Sequence, residues 1–232
     1  MRFHPTLWPT VFTIPVLIAL LALGTWQVER LGWKQELIDR LQARSAGPAV
    51  DLPVGIDNAA EWEFRNVRLK GRYLHDKELY LLGRSRSGEA GVHVLTPLVR
   101  DGRRGVVLVD RGWVPPKHKD PATRAKGQIA GTVAVEGLVR IAKPPGFFTP
   151  DNDPGKNLWF FFDPVPMAAA AGLGSLPAYY VLSNDDKLPG GLPKGRQWRL
   201  DIRNDHLEYA ITWYSFAVAL LVIYVVYHRQ KS

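Results

Sequence analysis

His206 stands in the run Asn204-Asp205-His206-Leu207-Glu208-Tyr209-Ala210-Ile211-Thr212-Trp213-Tyr214, at the threshold of an apolar segment without a charge from Tyr209 to Tyr227. An imidazole costs free energy to bury in a bilayer unless one of its nitrogens is used, so its position at the entry of a membrane helix points to a ligand- or partner-binding role. The plainer alternative is an interfacial anchor, because His, Tyr and Trp all sit comfortably at headgroup depth.

The other reactive side chains suggest less chemistry. His75, His93 and His118 have no second histidine or carboxylate at metal-ligand spacing and read as surface or satisfied core residues. Asp151-Asn152-Asp153 is followed by Pro154-Gly155, which fits a turn and leaves the calcium-loop pattern incomplete. The sequence contains no G-x-S-x-G elbow, phosphate loop, dinucleotide fingerprint, H-E-x-x-H or C-x-x-C. Hydrolase, nucleotide and thiol-redox readings therefore have no anchor, and an enzyme is the least supported class.

The elements that must hold His206 begin with two apolar segments. The first runs from about Trp8 to Val28, with no charge between His4 and Glu29. Each is long enough to cross a hydrocarbon core, which takes about 20 helical residues. Pro9 and Pro15 fall in the first half of the first segment, where neighbouring helices make a kink tolerable. A cleaved signal peptide fits poorly, since Gly24-Thr25-Trp26-Gln27 offers no small-residue cleavage pattern. Two spans place both termini on one side, and Arg2, Arg229 and Lys231 in the short tails make that side cytoplasmic, or the matrix in a mitochondrion. The expected organisation is a transmembrane helix over 8–30, an exported domain over 31–205 in the periplasm or intermembrane space, and a second transmembrane helix over 206–227.

The chain has no cysteine, so the exported domain must rely on its core. Apolar runs recur between turn signals: Glu63 to Leu74, Glu78 to Arg84, Gly91 to Arg100, Gly105 to Val114, Ile129 to Ile141, Leu158 to Phe162 and Ala178 to Ser183. Val67-Arg68-Leu69-Lys70-Gly71-Arg72-Tyr73 alternates as a half-buried strand does. His75-Asp76-Lys77 and Arg100-Asp101-Gly102-Arg103 sit where hairpin turns belong, favouring antiparallel pairing. The fold class is thus membrane α+β, with two transmembrane helices flanking an antiparallel β-sheet or small β-barrel. A short helix is expected near Val165 to Ala171. Ala43 to Ala59, Pro115 to Gly127 and Asp185 to Gly195 read as surface linkers or loops, the last leading back through Gln197-Trp198-Arg199-Leu200.

Thirty basic against 22 acidic side chains give a net charge of +8. The basic residues form no stripe interleaved with aromatics and the domain is exported, which argues against nucleic acid and for membrane lipid or an acidic partner.

Four blocks carry a resemblance. They are Leu23-Gly24-Thr25-Trp26-Gln27-Val28-Glu29-Arg30 with Trp33-Lys34; Val109-Asp110-Arg111-Gly112-Trp113-Val114-Pro115; Asn157-Leu158-Trp159 before Phe162-Asp163; and Asn204 to Tyr214. In this order, inside a two-helix frame, they resemble the Surfeit locus protein one family over almost the whole chain. The resemblance implies an assembly factor for haem-copper oxidases of the cytochrome c oxidase type, in the bacterial inner membrane or its mitochondrial descendant. It implies association with haem a, and His206 corresponds to the histidine implicated as haem ligand.

If the first helix leaves the bilayer near Val28 and the second enters near Leu207, then Trp26, Gln27 and Arg30 lie level with His206 and Tyr209. His206, Tyr209, Ala210 and Trp213 fall at i, i+3, i+4 and i+7 on one helix face, with the small Ala210 between aromatic walls. Beside a haem, the imidazole could ligate iron and Arg30, with Arg203 and Lys34 behind it, could pair with a propionate. The bland account is that Gly24 and Ala210 allow close helix packing and that Trp26, Tyr209 and Trp213 form an aromatic belt. Arg111 reads as a strand-end structural residue, with Gly112 marking a bulge or tight backbone approach. Phe160 to Phe162 beside Asp163 read as packing. Two functions follow from different classes. One is a haem a-binding factor that receives the cofactor from haem a synthase and presents it to oxidase subunit I. The other is a cofactor-free chaperone or scaffold for oxidase subunits.

Overall fold

The computed structural model describes residues 5–197 and 204–230. In chain order its regular elements are α1 (Leu7–Ala46), β1 (Val50–Asp51), α2 (Ala59–Trp62), β2 (Asn66–Tyr73), β3 (Leu79–Arg86), β4 (Glu89–Arg100), β5 (Val106–Val114), β6 (Thr132–Ile141), α3 (Pro164–Ala170), β7 (Tyr179–Ser183) and α4 (His206–Gln230). They form two compact units, Met1–Arg40 with Leu200–Ser232 and Leu41–Arg199. Arg2, Lys231, Arg203 and the segment Trp198-Arg199-Leu200, all invoked above, lie outside the described residues.

The first unit is an antiparallel helix pair. Both helices are long and apolar enough to cross a membrane, and few of their apolar residues are buried. Phe12, Ile14, Val16 and Ile18 on α1, and Phe216, Val218, Val222 and Ile223 on α4, are at least half exposed. A continuous apolar surface of that kind is what a hydrocarbon environment covers. Pro15 lies inside α1, and the helix extends 40 residues, about 60 Å at 1.5 Å per residue, so it continues well beyond the span itself. On α4 the first turn carries Glu208 and the last Arg229, each complementary to its end of the helix dipole.

The second unit is a small closed barrel. Strands run β2–β6–β7–β5–β4, and β4 pairs back onto β2 through Gly71↔Arg100 to Tyr73↔Leu98. β1 and β3 extend the outside on β2 and β4. The alternation read in β2 is observed: Val67, Leu69 and Gly71 are buried while Arg68, Lys70 and Arg72 are exposed. A Cβ on Gly71 would meet the Val99 carbonyl oxygen at 2.2 Å, which is why this closure needs glycine. The other face of the wall is also covered. Val107, Val109, Tyr179 and Val181 fill the interior with Val67, Leu69 and Leu98, whereas their neighbours Leu108 and Tyr180 pack outward against Trp159, Phe162 and Met167. That second layer is supplied by α3, one residue off the helix expected at Val165 to Ala171, and by the segment before it.

Four details differ from the strand and loop reading. His75-Asp76-Lys77 does not close a hairpin, because the strand after it, β3, pairs with β4 and not with β2. Pairing is mainly antiparallel but mixed, with β1–β2 and β5–β7 parallel. Leu158 to Phe162 is not a strand: it makes two isolated bridges, Leu158 to Asp153 and Trp159 to Leu81, and then Asn152 Oδ1 accepts from the backbone N–H groups of Phe160 and Phe161 in place of a ladder partner. The 115–127 segment is not a simple exposed loop but a set of 3₁₀ turns that sends Arg124 into the interior. The Asp153 turn is as expected, with Oδ1 accepting from Lys156 N at 3.2 Å.

Candidate functional site

The helix pair is held by a ladder of polar contacts between apolar turns. Thr6 and His228 meet at 3.1 Å, Thr10 and Tyr224 at 2.7 Å, and Thr25 and Tyr214 at 3.2 Å. Within the ladder Gly24 lies against the Tyr214 ring, where a Cβ would come within 2.7 Å of Cε1. Ala210 and Ala217, each 2% exposed, provide the small positions on α4. Close approach at small residues with hydrogen bonds across the seam is the usual packing solution for helices in lipid.

At one end of the ladder, His206 Nδ1–H donates to Gln27 Oε1 at 2.6 Å. The bond fixes the tautomer: with the proton on Nδ1, the lone pair is on Nε2, which has no hydrogen bond among the described residues. Gln27 is only 9% exposed and His206 is half-buried, so the bond is shielded while the imidazole remains reachable. An imidazole oriented through one nitrogen with the other free has the arrangement of a metal-ligating histidine and its outer partner.

The remaining predicted residues surround this pair unequally. Tyr209, 55% exposed, lies beside His206 on the outer surface of α4, and Trp213 is half-buried one turn on. Ala210 is buried, on the face that His206 turns toward α1, so it serves helix packing rather than an open slot. Trp26 is 47% exposed. Arg30 lies over the Trp26 ring at 5.7 Å and the Trp33 ring at 5.4 Å, a cation held between two indoles. Lys34 is half-buried one turn further along α1. Trp33 is a member of this site that no sequence motif assigned. Its i+3 spacing from Arg30 was the available signal.

In the barrel, Arg111 proves to be structural and deeply buried. The pairing of β4 with β5 shifts by one between His93↔Trp113 and Leu95↔Asp110, a bulge at Arg111-Gly112. Gly112 has φ 118°, and a Cβ there would meet the Lys194 carbonyl oxygen at 1.9 Å. The bulge turns Arg111 inward, where it donates to the Gly127 carbonyl, stacks on Tyr73 at 4.9 Å and stands 3.7 Å from Glu78. Arg124 donates to both Glu78 oxygens. Burial pushes the Glu78 carboxyl up, but His75, Arg124 and Arg111 together outweigh it and hold the group below its ordinary range. Burial pushes the Tyr73 hydroxyl up to about 12. His75 stands 3.8 Å from Glu78, an electrostatic contact rather than a hydrogen bond. This cluster of buried charge was not foreseen, because its members lie far apart in sequence.

Comparison with known proteins gives the frame for these sites. Residues 14–218 match the model of the SURF1 family. Surfeit locus protein 1 of Xenopus tropicalis is 36% identical over 217 residues, covering 87% of this chain and 70% of the relative. The human Surfeit locus protein 1 is likewise 36% identical over 217 residues, covering 87% and 71%. A SURF1-like protein of Monosiga brevicollis is 36% identical over 234 residues, covering 97% and 88%. With a match that spans both helices and the barrel between them, this chain belongs to the SURF1 family.

Proposed function

We propose that the chain is an assembly factor for a haem-copper oxidase of the cytochrome c oxidase type, and that it binds haem a at His206 and aids its delivery to oxidase subunit I. Haem a synthase is the proposed source. The proposed location is a bacterial inner membrane, with both termini cytoplasmic and the barrel periplasmic. The observation that carries the reading is the 2.6 Å bond from His206 Nδ1 to Gln27, which leaves Nε2 as the lone-pair nitrogen. Tyr209, Trp213 and Trp26 supply aromatic surface beside it. Arg30 supplies a cation for a propionate, already oriented by Trp26 and Trp33. Bound there, haem a would be cargo rather than a reacting group, so the role is assembly and not catalysis.

The test is the visible absorption spectrum of the full chain purified from cells that make haem a. Wild type is expected to carry haem a, and His206→Ala to lose it while remaining inserted. Undiminished haem a in the variant, or none in wild type, would replace this reading with the cofactor-free chaperone.

A further inference from the structure

A cavity of about 400 Å³ opens on the barrel wall between β3, β4, β6 and β7, away from the Glu78 cluster. Its lining includes Arg84, His93, Arg140 and Tyr180, which come from four different strands, with the polar Ser85, Asp110 and Gln197 beside them. His93 and Tyr180 are more than nine-tenths buried. His93 Nδ1–H donates to Asp110 Oδ2 at 2.7 Å, and Asp110 Oδ1 accepts from Gly112 N at 2.9 Å, so each oxygen of that carboxylate has a donor. The same bond leaves Nε2 as the lone-pair nitrogen of His93, without a hydrogen bond among the described residues.

The other groups are similarly poised. The Tyr180 hydroxyl has no hydrogen bond among the described residues, while its ring is fixed by stacking on Phe162 at 4.5 Å. Burial pushes that hydroxyl up, with Arg140 and Arg84 opposing and Asp110 and Glu63 adding to the shift, so it remains a donor and lies within the field of both guanidinium groups. Glu63 is ion-paired with Lys143 at 3.2 Å and Arg140 at 3.6 Å. Arg140 is held over the Phe64 ring at 4.4 Å, and Arg84 has no ion pair among the described residues. Counting Arg84, Arg140 and Lys143 against Asp110 and Glu63, the surroundings carry an uncompensated positive charge.

We propose that this cavity is a binding site for a phosphate group, contacted by Arg84, Arg140, the Tyr180 hydroxyl and His93 Nε2. The guanidinium groups and the phenol donate to phosphate oxygens. Nε2 accepts the proton of a monohydrogen phosphate or, once protonated against Asp110, donates to the dianion. A carboxylate offers only two oxygens to these four groups, whereas a phosphate ester keeps three free oxygens and a larger charge. The volume exceeds that of the bare ion and leaves room for an attached group, so the phosphate can come from the free ion or from a lipid headgroup.

The test is calorimetric titration of the full chain in dodecyl maltoside, in phosphate-free buffer, with inorganic phosphate, dihexanoyl phosphatidate and succinate. Arg84→Gln and Tyr180→Phe, the first exposed and the second keeping its stacked ring, are each expected to weaken phosphate-group binding by about tenfold, the effect of one hydrogen bond to a charged group. Lys117→Gln, in the basic segment elsewhere, should leave it unchanged. Phosphatidate binding far more tightly than inorganic phosphate supports the site with a headgroup source, and comparable binding supports it with the free ion as source. The proposal is overturned if neither probe binds saturably, if succinate binds more tightly than both, or if both variants match wild type.

Discussion

Gln27 and His206 are 179 positions apart in sequence and share a 2.6 Å hydrogen bond between α1 and the first residue of α4. The bond does two things at once: it orients an imidazole and joins the helices at that end of their seam. A carbonyl oxygen is the acceptor, so the imidazole proton is drawn to Nδ1 and the lone pair is left on Nε2.

Replacing Gln27 with Leu removes that acceptor while preserving bulk. Haem a affinity is expected to fall by about 10- to 100-fold, the usual cost of losing an outer partner of a metal-bound histidine. Gln27→Glu should retain most of it, because a carboxylate also accepts from Nδ1. Haem occupancy measured by absorption after equal purification is the readout, and equal occupancy in wild type and Gln27→Leu would sink the orienting role.

Gly24 predicts a packing defect of a different kind. A Cβ there comes within 2.7 Å of the Tyr214 ring, whose hydroxyl is tied to Thr25. Gly24→Leu is expected to destabilise the helix pair by about 1–3 kcal/mol, the range for overpacked positions. Adding Tyr214→Ala should recover part of that loss, since the two positions are in contact and their effects are coupled. Thermal melting in detergent, followed by far-ultraviolet circular dichroism, measures both; additive losses would show that the two residues do not meet.

Topology can be checked at a site that the structure selects. A reporter active only outside the cytoplasm is best inserted after Gly146, beside Phe147 and Phe148, which are 96% and 93% exposed. The 121–127 turns are a poor choice because Arg124 is buried there. The insertion should be active and a fusion after Ser232 silent, as the tail charges Arg229 and Lys231 predict. The reverse pattern would invert the proposed orientation.

Much of this architecture was legible because it is periodic or local. The β2 alternation follows from a strand with one wet face, and the depth argument that levelled Gln27 with His206 needed only two helix ends. Leu158 to Phe162 misled because a short apolar run reads the same whether it pairs in a sheet or packs on one. The β5–β7 parallel pairing leaves no local mark, since β6 and α3 intervene in sequence. The bulge at Arg111-Gly112 was signalled by its glycine, yet nothing local pointed from Arg111 to Glu78 and Arg124. Buried polar clusters assembled from distant strands and turns are the part of a fold that spacing conceals.

That concealed cluster gives the last prediction. Glu78 is 6% exposed and lies between two guanidinium groups that are themselves 1% and 4% exposed. Removing its charge leaves buried cations uncompensated, so Glu78→Gln is expected to destabilise the barrel by about 3–5 kcal/mol. The pH dependence follows from the same geometry. The folded carboxyl titrates below its ordinary value of 4.5, so the unfolded chain takes up the proton first as pH falls. The stability contributed by the ion cluster is therefore complete above the ordinary carboxylate range, and it declines as pH drops through that range toward the lowered folded value. Denaturant unfolding of the full chain, followed by near-ultraviolet circular dichroism, should show wild type losing stability across this acid window. Glu78→Gln, already less stable at neutral pH, should show a shallower decline. Parallel curves for the two proteins would mean that Glu78 is not the group whose protonation loosens the barrel.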